Sequence, residues 1–299
     1  GKDRERNNFD FEKNFIHHLS SPLPYRRKKD QTVEDFCEEL VKEFEQKIEE
    51  LGSENVAAFI AEPVLASGGC IVPPDGYFKK IYDVCKKNEI IFIADEVVTG
   101  FGRLGHFFSS EEIFGVVPDI ITCAKGITSG YLPLGAVLFS NKLIADLKND
   151  SSLFFHGYTY SGHPACCAAA LKNIEILKRD KILEHVKEIE PYFFKKLNSL
   201  YDLPIVGDIR GKGLMAGIEC VINKDSKEAL VLDQAIGSRI DEESIKLGLI
   251  IRPLYHICVL SPALIINKEQ INELTEKLYQ AISNTIDQLK TEGLWSQTK

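Results

Sequence analysis

The chain has 299 residues, 44% of them hydrophobic and 27% charged, with a net charge of −8. A chain of this length holds roughly two domains around a sizeable core, and its composition excludes a disordered or low-complexity protein. The acidic balance gives no electrostatic footprint for nucleic acid or an anionic membrane, and no apolar run approaches the length of a spanning helix.

Residues 1–31 are polar and irregular, with charged rather than signal-like first residues and a Pro-rich stretch, Ser21-Pro22-Leu23-Pro24-Tyr25. The basic run Arg26-Arg27-Lys28-Lys29 is short and reads as a solvated loop. The eight cysteines include no C-x-x-C pair, and the adjacent Cys166-Cys167 suits neither a zinc knuckle nor a local bridge. No metal site is expected, and free thiols indicate a reducing setting, cytoplasmic, or organellar if a targeting segment has been removed.

Thr32 opens a helix signal with Asp35 as capping partner. Val33, Phe36, Leu40, Phe44, Ile48 and Leu51 then recur at near-helical spacing. Asn55 to Ala61 reads as a strand ending at Glu62-Pro63, and Pro73-Pro74-Asp75 as the start of a helix. The apolar runs Ile90–Ala94, Ile120–Ala124 and Gly135–Ser140 read as further strands. Alternating strands and helices predict an α/β fold, with a mainly parallel sheet and helices on both faces.

Pro164 opens a small-residue helix at a position where its missing N–H costs nothing. Pro204, Gly207, Gly211 and Gly213 then break the pattern. Beyond them come a strand over Leu214–Cys220, a helix over Lys227–Leu247, and short strands at Leu249–Arg252 and Ile257–Leu260. Asn267 with Gln270 caps a last helix. This predicts domains at 1–202 and 203–299, the second a C-terminal α+β small domain.

Two strands deliver ionisable residues where they give way to loops: Asp95 after Ile90–Ala94, and Lys125 after Ile120–Ala124. In open α/β sheets ligands bind at that carboxyl edge. A lysine able to form a Schiff base, with an aspartate able to hold a pyridinium nitrogen, is the minimum equipment for pyridoxal phosphate (PLP) chemistry. Gly100 to Gly105 also fits G-x-G-x-x-G, but it leads into His106-Phe107-Phe108 rather than opening a helix, as a dinucleotide site requires.

DEVVTGFGR (Asp95–Arg103), PDIITCAKGITSGYLPLGAV (Pro118–Val137) and HGYTYSGHP (His156–Pro164) together resemble the class III aminotransferases, fold type I PLP enzymes acting on amines and ω-amino acids. The resemblance runs from about Tyr25 to the C-terminus. It lacks the family's N-terminal part, with the first large-domain strands and the Gly/Ser phosphate loop.

The resemblance implies that Lys125 carries PLP as a Schiff base and shuttles the proton, from a partly desolvated position. Asp95 would pair with the pyridine nitrogen, and Val97 would press on a ring face. Thr159 would contact the phosphate of a partner subunit, in a homodimer with shared sites. Arg252 would receive a substrate carboxylate, while Glu62 lies near the site's mouth. Ornithine and GABA branches place an arginine slightly later, where this chain has Val259-Leu260-Ser261, a departure that argues against those particular substrates. The implied activity moves an amino group from an amine or ω-amino acid to a keto acid such as pyruvate. The alternative is a truncated or degenerate homologue that keeps the fold and dimer surface with little catalysis. Residues 1–299 alone are expected to hold PLP poorly.

Overall fold

The computed structural model describes residues 9–10, 12, 14–149, 154–229 and 236–296. Helix α1 (Val33–Leu51) starts where Thr32 Oγ1 accepts a 3.0 Å bond from the Asp35 N–H. Such a cap is worth about 1 kcal/mol. Its buried stripe of Cys37, Leu40, Val41, Phe44 and Ile48 packs with α2 (Tyr77–Lys87) against strand β2 (Ile91–Asp95). The start of α2 falls at Tyr77 rather than at Pro73, because Gly76 takes a left-handed turn first.

β2 sits between β1 (Ala58–Ala61) and β3 (Ile120–Cys123), parallel to both, and β4 (Ala136–Phe139) closes the row antiparallel. The sheet is mainly parallel, as expected. Phe92 and Ala94 face α1 and α2, so Ile93 and Asp95 point to the opposite face. That face leaves Ile60 (59% exposed) and Val137 (54%) open in the single chain, so helices from the described residues cover the sheet chiefly on one side.

The remaining described elements follow in order: α3 (Ser109–Glu112), α4 (Asn141–Asn149), α5 (Pro164–Arg179), α6 (Ile182–Leu197), β5 (Val206–Lys212), β6 (Met215–Asn223), β7 (Glu228–Ala229), α7 (Ile236–Lys246), β8 (Arg252–Leu254), β9 (Ile257–Leu260) and α8 (Lys268–Thr291). A second, antiparallel sheet runs β5-β6-β9-β8, with β7 on β6. Phe193, Leu197, Ile218, Ile240, Leu278 and Ile282 fill its core from both sheet and helices. The cap of α8 is complete: Gln270 N donates to Asn267 Oδ1 (2.9 Å) while Gln270 Oε1 accepts from Asn267 N (3.1 Å).

Two sequence expectations change here. Residues 206–212 form a strand, not only a break, and Gly213 opens the tight turn to β6 with φ +57°, where a Cβ would also lie 2.4 Å from the Arg103 carbonyl oxygen. The helix expected from Lys227 is first seen at Ile236, residues 230–235 lying outside the described set. Asn223 Oδ1 accepts from Asp225 N (2.7 Å) and Ser226 N (3.1 Å), and this side-chain turn folds Glu228–Ala229 back onto β6.

A buried ion cluster ties the second sheet to the first half of the chain. Arg210 Nη1 bonds Asp208 (2.8 Å) and Glu219 (2.5 Å), and its Nε reaches the Gly69 carbonyl (2.8 Å). Arg26 also pairs with Glu219. Burial alone would raise the Glu219 carboxyl, but His256, Arg210 and Arg26 outweigh it and hold it at about 2. Relative to an ordinary carboxyl this is worth about 3 kcal/mol, present above the unfolded value and lost as pH falls through about 2. Glu219→Gln should therefore unfold in less urea than wild type at pH 7, with the gap closing between about pH 4.5 and 2. A gap that did not change with pH would refute this account of the cluster.

Candidate active site

Register gathers the site. Ala61 pairs with Ala94 and Asp95 with Thr122, so Glu62, Asp95 and Lys125 leave three neighbouring strands at one carboxyl edge. Asp95 is half-buried and its Oδ1 accepts from the Val97 N–H at 3.1 Å, which fixes the carboxylate and Val97 as one unit. Lys125 opens a 3-10 turn over Lys125–Thr128 with φ +40°. Its side chain is exposed in the single chain, so the expected desolvation is not supplied by the residues described.

Glu62 is half-buried and accepts from the Ala66 N–H at 3.1 Å. Burial raises its carboxyl, the Ala66 bond opposes this, and Asp95 raises it further while Lys125 lowers it. The Glu62 carboxyl thus lies within the field of both Asp95 and Lys125. Arg252 opens β8, is exposed, and stands opposite Val259 in register. Burial pushes the Cys70 thiol up to about 12 against Arg210, Arg103 and Arg252, while Glu62 adds to the rise. Thr159 is exposed on the 154–163 segment, and no hydrogen bond among the described residues joins it to Asp95 or Lys125.

Sequence reasoning passed over two supports, one buried and one half-buried. Glu96 is fully buried, and five donors satisfy it: Ser109 N, Ser110 N and Ser110 Oγ on Oε1 (2.8, 2.8 and 2.5 Å), Thr99 Oγ1 and Ser109 Oγ on Oε2 (2.6 and 2.8 Å). The carboxylate caps α3 and ties the whole 97–109 loop to the end of β2. Arg103 donates to the Leu214 (2.8 Å) and Pro262 (2.6 Å) carbonyls, stitching this loop to the second sheet. The glycines between them form a tight reversal, with Phe101 N on Phe107 O (2.8 Å) and Gly102 N on His106 O (2.9 Å). No dinucleotide helix follows it.

The family model for class III aminotransferases matches residues 2–282. The chain belongs to the class III aminotransferases. Members of this family use PLP. This aminotransferase chain is similar to a putrescine–pyruvate aminotransferase of Pseudomonas aeruginosa, 42% identical over 271 residues, covering 90% of the chain and 59% of that protein. A chloroplastic gamma-aminobutyrate transaminase of Solanum lycopersicum is 40% identical over 295 residues, covering 97% of the chain and 56% of that protein. Among solved structures, a thermostable (S)-enantioselective omega-transaminase from Thermomicrobium roseum superposes with a TM-score of 0.90 at 41% identity. That match covers 94% of this chain and 63% of the other. The fold is that of the fold type I transaminases.

The residues at the sheet edge suit the ring end of PLP. Among the described residues, Asp95 Oδ2 and the Lys125 amine carry no hydrogen bond, leaving one carboxylate acceptor and one primary amine available. Glu96 and the turn at Lys125 fix the backbone of each.

Proposed function

We propose that this chain is the part of an amine or ω-amino acid transaminase that grips the cofactor ring, passing an amino group to a keto acid such as pyruvate by a ping-pong route. The observation that carries this reading is the placement of Asp95 and Lys125 at adjoining strand ends, Asp95 being already oriented by Val97 N. Relatives whose names include putrescine, pyruvate and gamma-aminobutyrate support the substrate class. The intact series Glu62, Asp95, Val97, Lys125, Thr159 and Arg252 favours an enzyme over a degenerate homologue.

Bound PLP would supply an electron sink for cleavage of the donor's Cα–H bond. Asp95 would accept the ring N–H and, by its charge, keep that nitrogen protonated. Val97 would back one ring face. The Lys125 amine would bind the cofactor covalently and, once freed, carry the proton from the donor carbon. Arg252 would offer a guanidinium fork that matches a substrate carboxylate, and Glu62 would stand near the mouth of the site.

We assign residues 1–202 to a large domain and 203–299 to a small one. A homodimer is proposed because Thr159 is exposed, without a hydrogen bond to Lys125 among the described residues, on a segment whose Phe155 is 98% and Tyr160 79% exposed. Phe139, Phe154, His156 and Tyr158 form a chain of ring contacts along it. Exposed aromatic surface of this kind marks an interaction site. Eight free cysteines suit a reducing cytoplasm.

Adding an amine donor without keto acid to the PLP-loaded protein should discharge its visible absorbance in one stoichiometric turnover, and pyruvate should restore it. No spectral change with any amine or ω-amino acid would overturn the reading. Mixing Lys125→Ala subunits with Thr159→Ala subunits of the full-length protein should recover part of the activity, because one composite site keeps both residues. No recovery despite proven exchange would remove the shared site.

A further inference from the structure

The turn that carries Lys125 is unfavourable on its own. Lys125 (φ +40°) and Ser129 (φ +50°) are both left-handed without being glycine, and Gly130 (φ +78°) follows them. Such backbone persists only where the surroundings impose it. Inside the turn, Ile127 N bonds Ala124 O (3.0 Å), while Ser129 N on Gly126 O (3.2 Å) and Gly130 N on Lys125 O (3.3 Å) are long. On one side the turn meets the Gly100–Phe101 backbone so closely that a Cβ on Gly126 would lie 2.9 Å from Phe101 Cβ and 3.2 Å from Gly100 O.

A side chain of another element also holds the turn. Asn173, on α5, donates from Nδ2 to the carbonyls of Gly126 (2.8 Å) and Ile127 (3.1 Å). Its Oδ1 accepts from the Ser129 hydroxyl at 2.7 Å. Three bonds thus span the turn from its second residue to the residue that closes it. The helix bearing Asn173 is itself anchored, since Ala170, Ile174 and Leu177 pack in one cluster with Phe101, Cys123 and Ile127.

We propose that Asn173 is a positioning residue for Lys125, its amide clamping the strained turn so that the lysine leaves the sheet beside Asp95. The proposal rests on the reading of Lys125 as the cofactor lysine. An asparagine is needed because the turn presents two carbonyl acceptors and one hydroxyl donor, and only an amide answers both. Aspartate would keep the bond from Ser129 but set a carboxylate against the two carbonyls.

The test uses the full-length protein and three variants, Asn173→Ala, Asn173→Asp and Ser129→Ala. Alanine is the better helix former, so α5 should persist and thermal unfolding should change little. Without cofactor, amide exchange at Ile127, Ser129 and Gly130 should quicken in both Asn173 variants and less in Ser129→Ala. After PLP is added, the rate at which borohydride-fixable label appears on Lys125 should fall about tenfold in Asn173→Ala, or ~1.4 kcal/mol in activation. Asn173→Asp should fall at least as far, and Ser129→Ala less. Wild-type labelling rates in both Asn173 variants, with or without faster exchange, would overturn the positioning role. Slower labelling matched by a general loss of stability in every variant would also overturn it, as a plain packing effect. If wild type carried the label on another lysine, the cofactor reading would fall, while the exchange data would still score the clamp.

Discussion

Lys125→Ala should abolish amino transfer, leaving at most about 10⁻⁴ of the wild-type rate. Proton transfer by a placed side chain alone contributes roughly 10²–10⁴, and this substitution removes the covalent anchor in the same stroke. The fold should survive, since the Lys125 side chain is exposed and makes no hydrogen bond among the described residues. A left-handed residue is strained whether it is lysine or alanine, so the backbone term cancels. Single-turnover kinetics with a saturating amine donor, beside thermal unfolding, separate the two effects. Measurable turnover at a tenth of wild type would mean that another group does the work.

Asp95→Asn is expected to slow the same half-reaction by roughly 10²–10³-fold, with a smaller loss of cofactor affinity. The amide keeps the shape, and its oxygen can still accept from Val97 N as Oδ1 does at 3.1 Å. What disappears is the charge that keeps the ring nitrogen protonated. Leaving such a charge without its partner costs about 3–5 kcal/mol, which at ~1.4 kcal/mol per tenfold spans roughly 10²-fold to a few thousandfold, of which the range stated is the lower part. Asp95 stands half-buried on the less covered sheet face, so solvent screening favours the lower end. Near wild-type turnover in Asp95→Asn would remove the electron-sink role.

The sheet edge was legible because buried parallel strands have a simple signature. Ile90–Ala94 and Ile120–Ala124 are near-continuous apolar runs, as strands covered on at least one face and flanked on both sides must be. Their ends fall within a residue or two of the expected positions, which puts Asp95 and Lys125 on neighbouring strands. The caps at Thr32 and Asn267 were equally plain, since they depend on residues three apart. The roles given to those site residues came from the resemblance; the structure adds that the Glu62 carboxyl feels both Asp95 and Lys125.

What the sequence hid depends on long-range contact. Gly207, Gly211 and Gly213 look like loop residues, yet they lie in or beside β5 because other segments press on them: a Cβ at Gly207 would meet Tyr25 Oη and Val221 at 2.6 Å. Glu96 and Asn173 are polar residues that composition assigns to the surface. Their partners lie 13–14 and 44–47 positions away, apart from Thr99, and no local period betrays such pairs. One local signal misleads: Ser109-Ser110-Glu111-Glu112 after an apolar pair reads as a capping box, yet the N-cap is Phe108 and the distant Glu96 takes the Ser109 and Ser110 N–H groups.

The central claim is that Lys125, beside Asp95, is the residue that holds the cofactor. Borohydride reduction of the PLP-loaded, full-length protein, followed by peptide mapping, tests it most directly. The account predicts one label per chain, on Lys125, absent from Lys125→Ala. Label on any other lysine, or undiminished label in that variant, would contradict it.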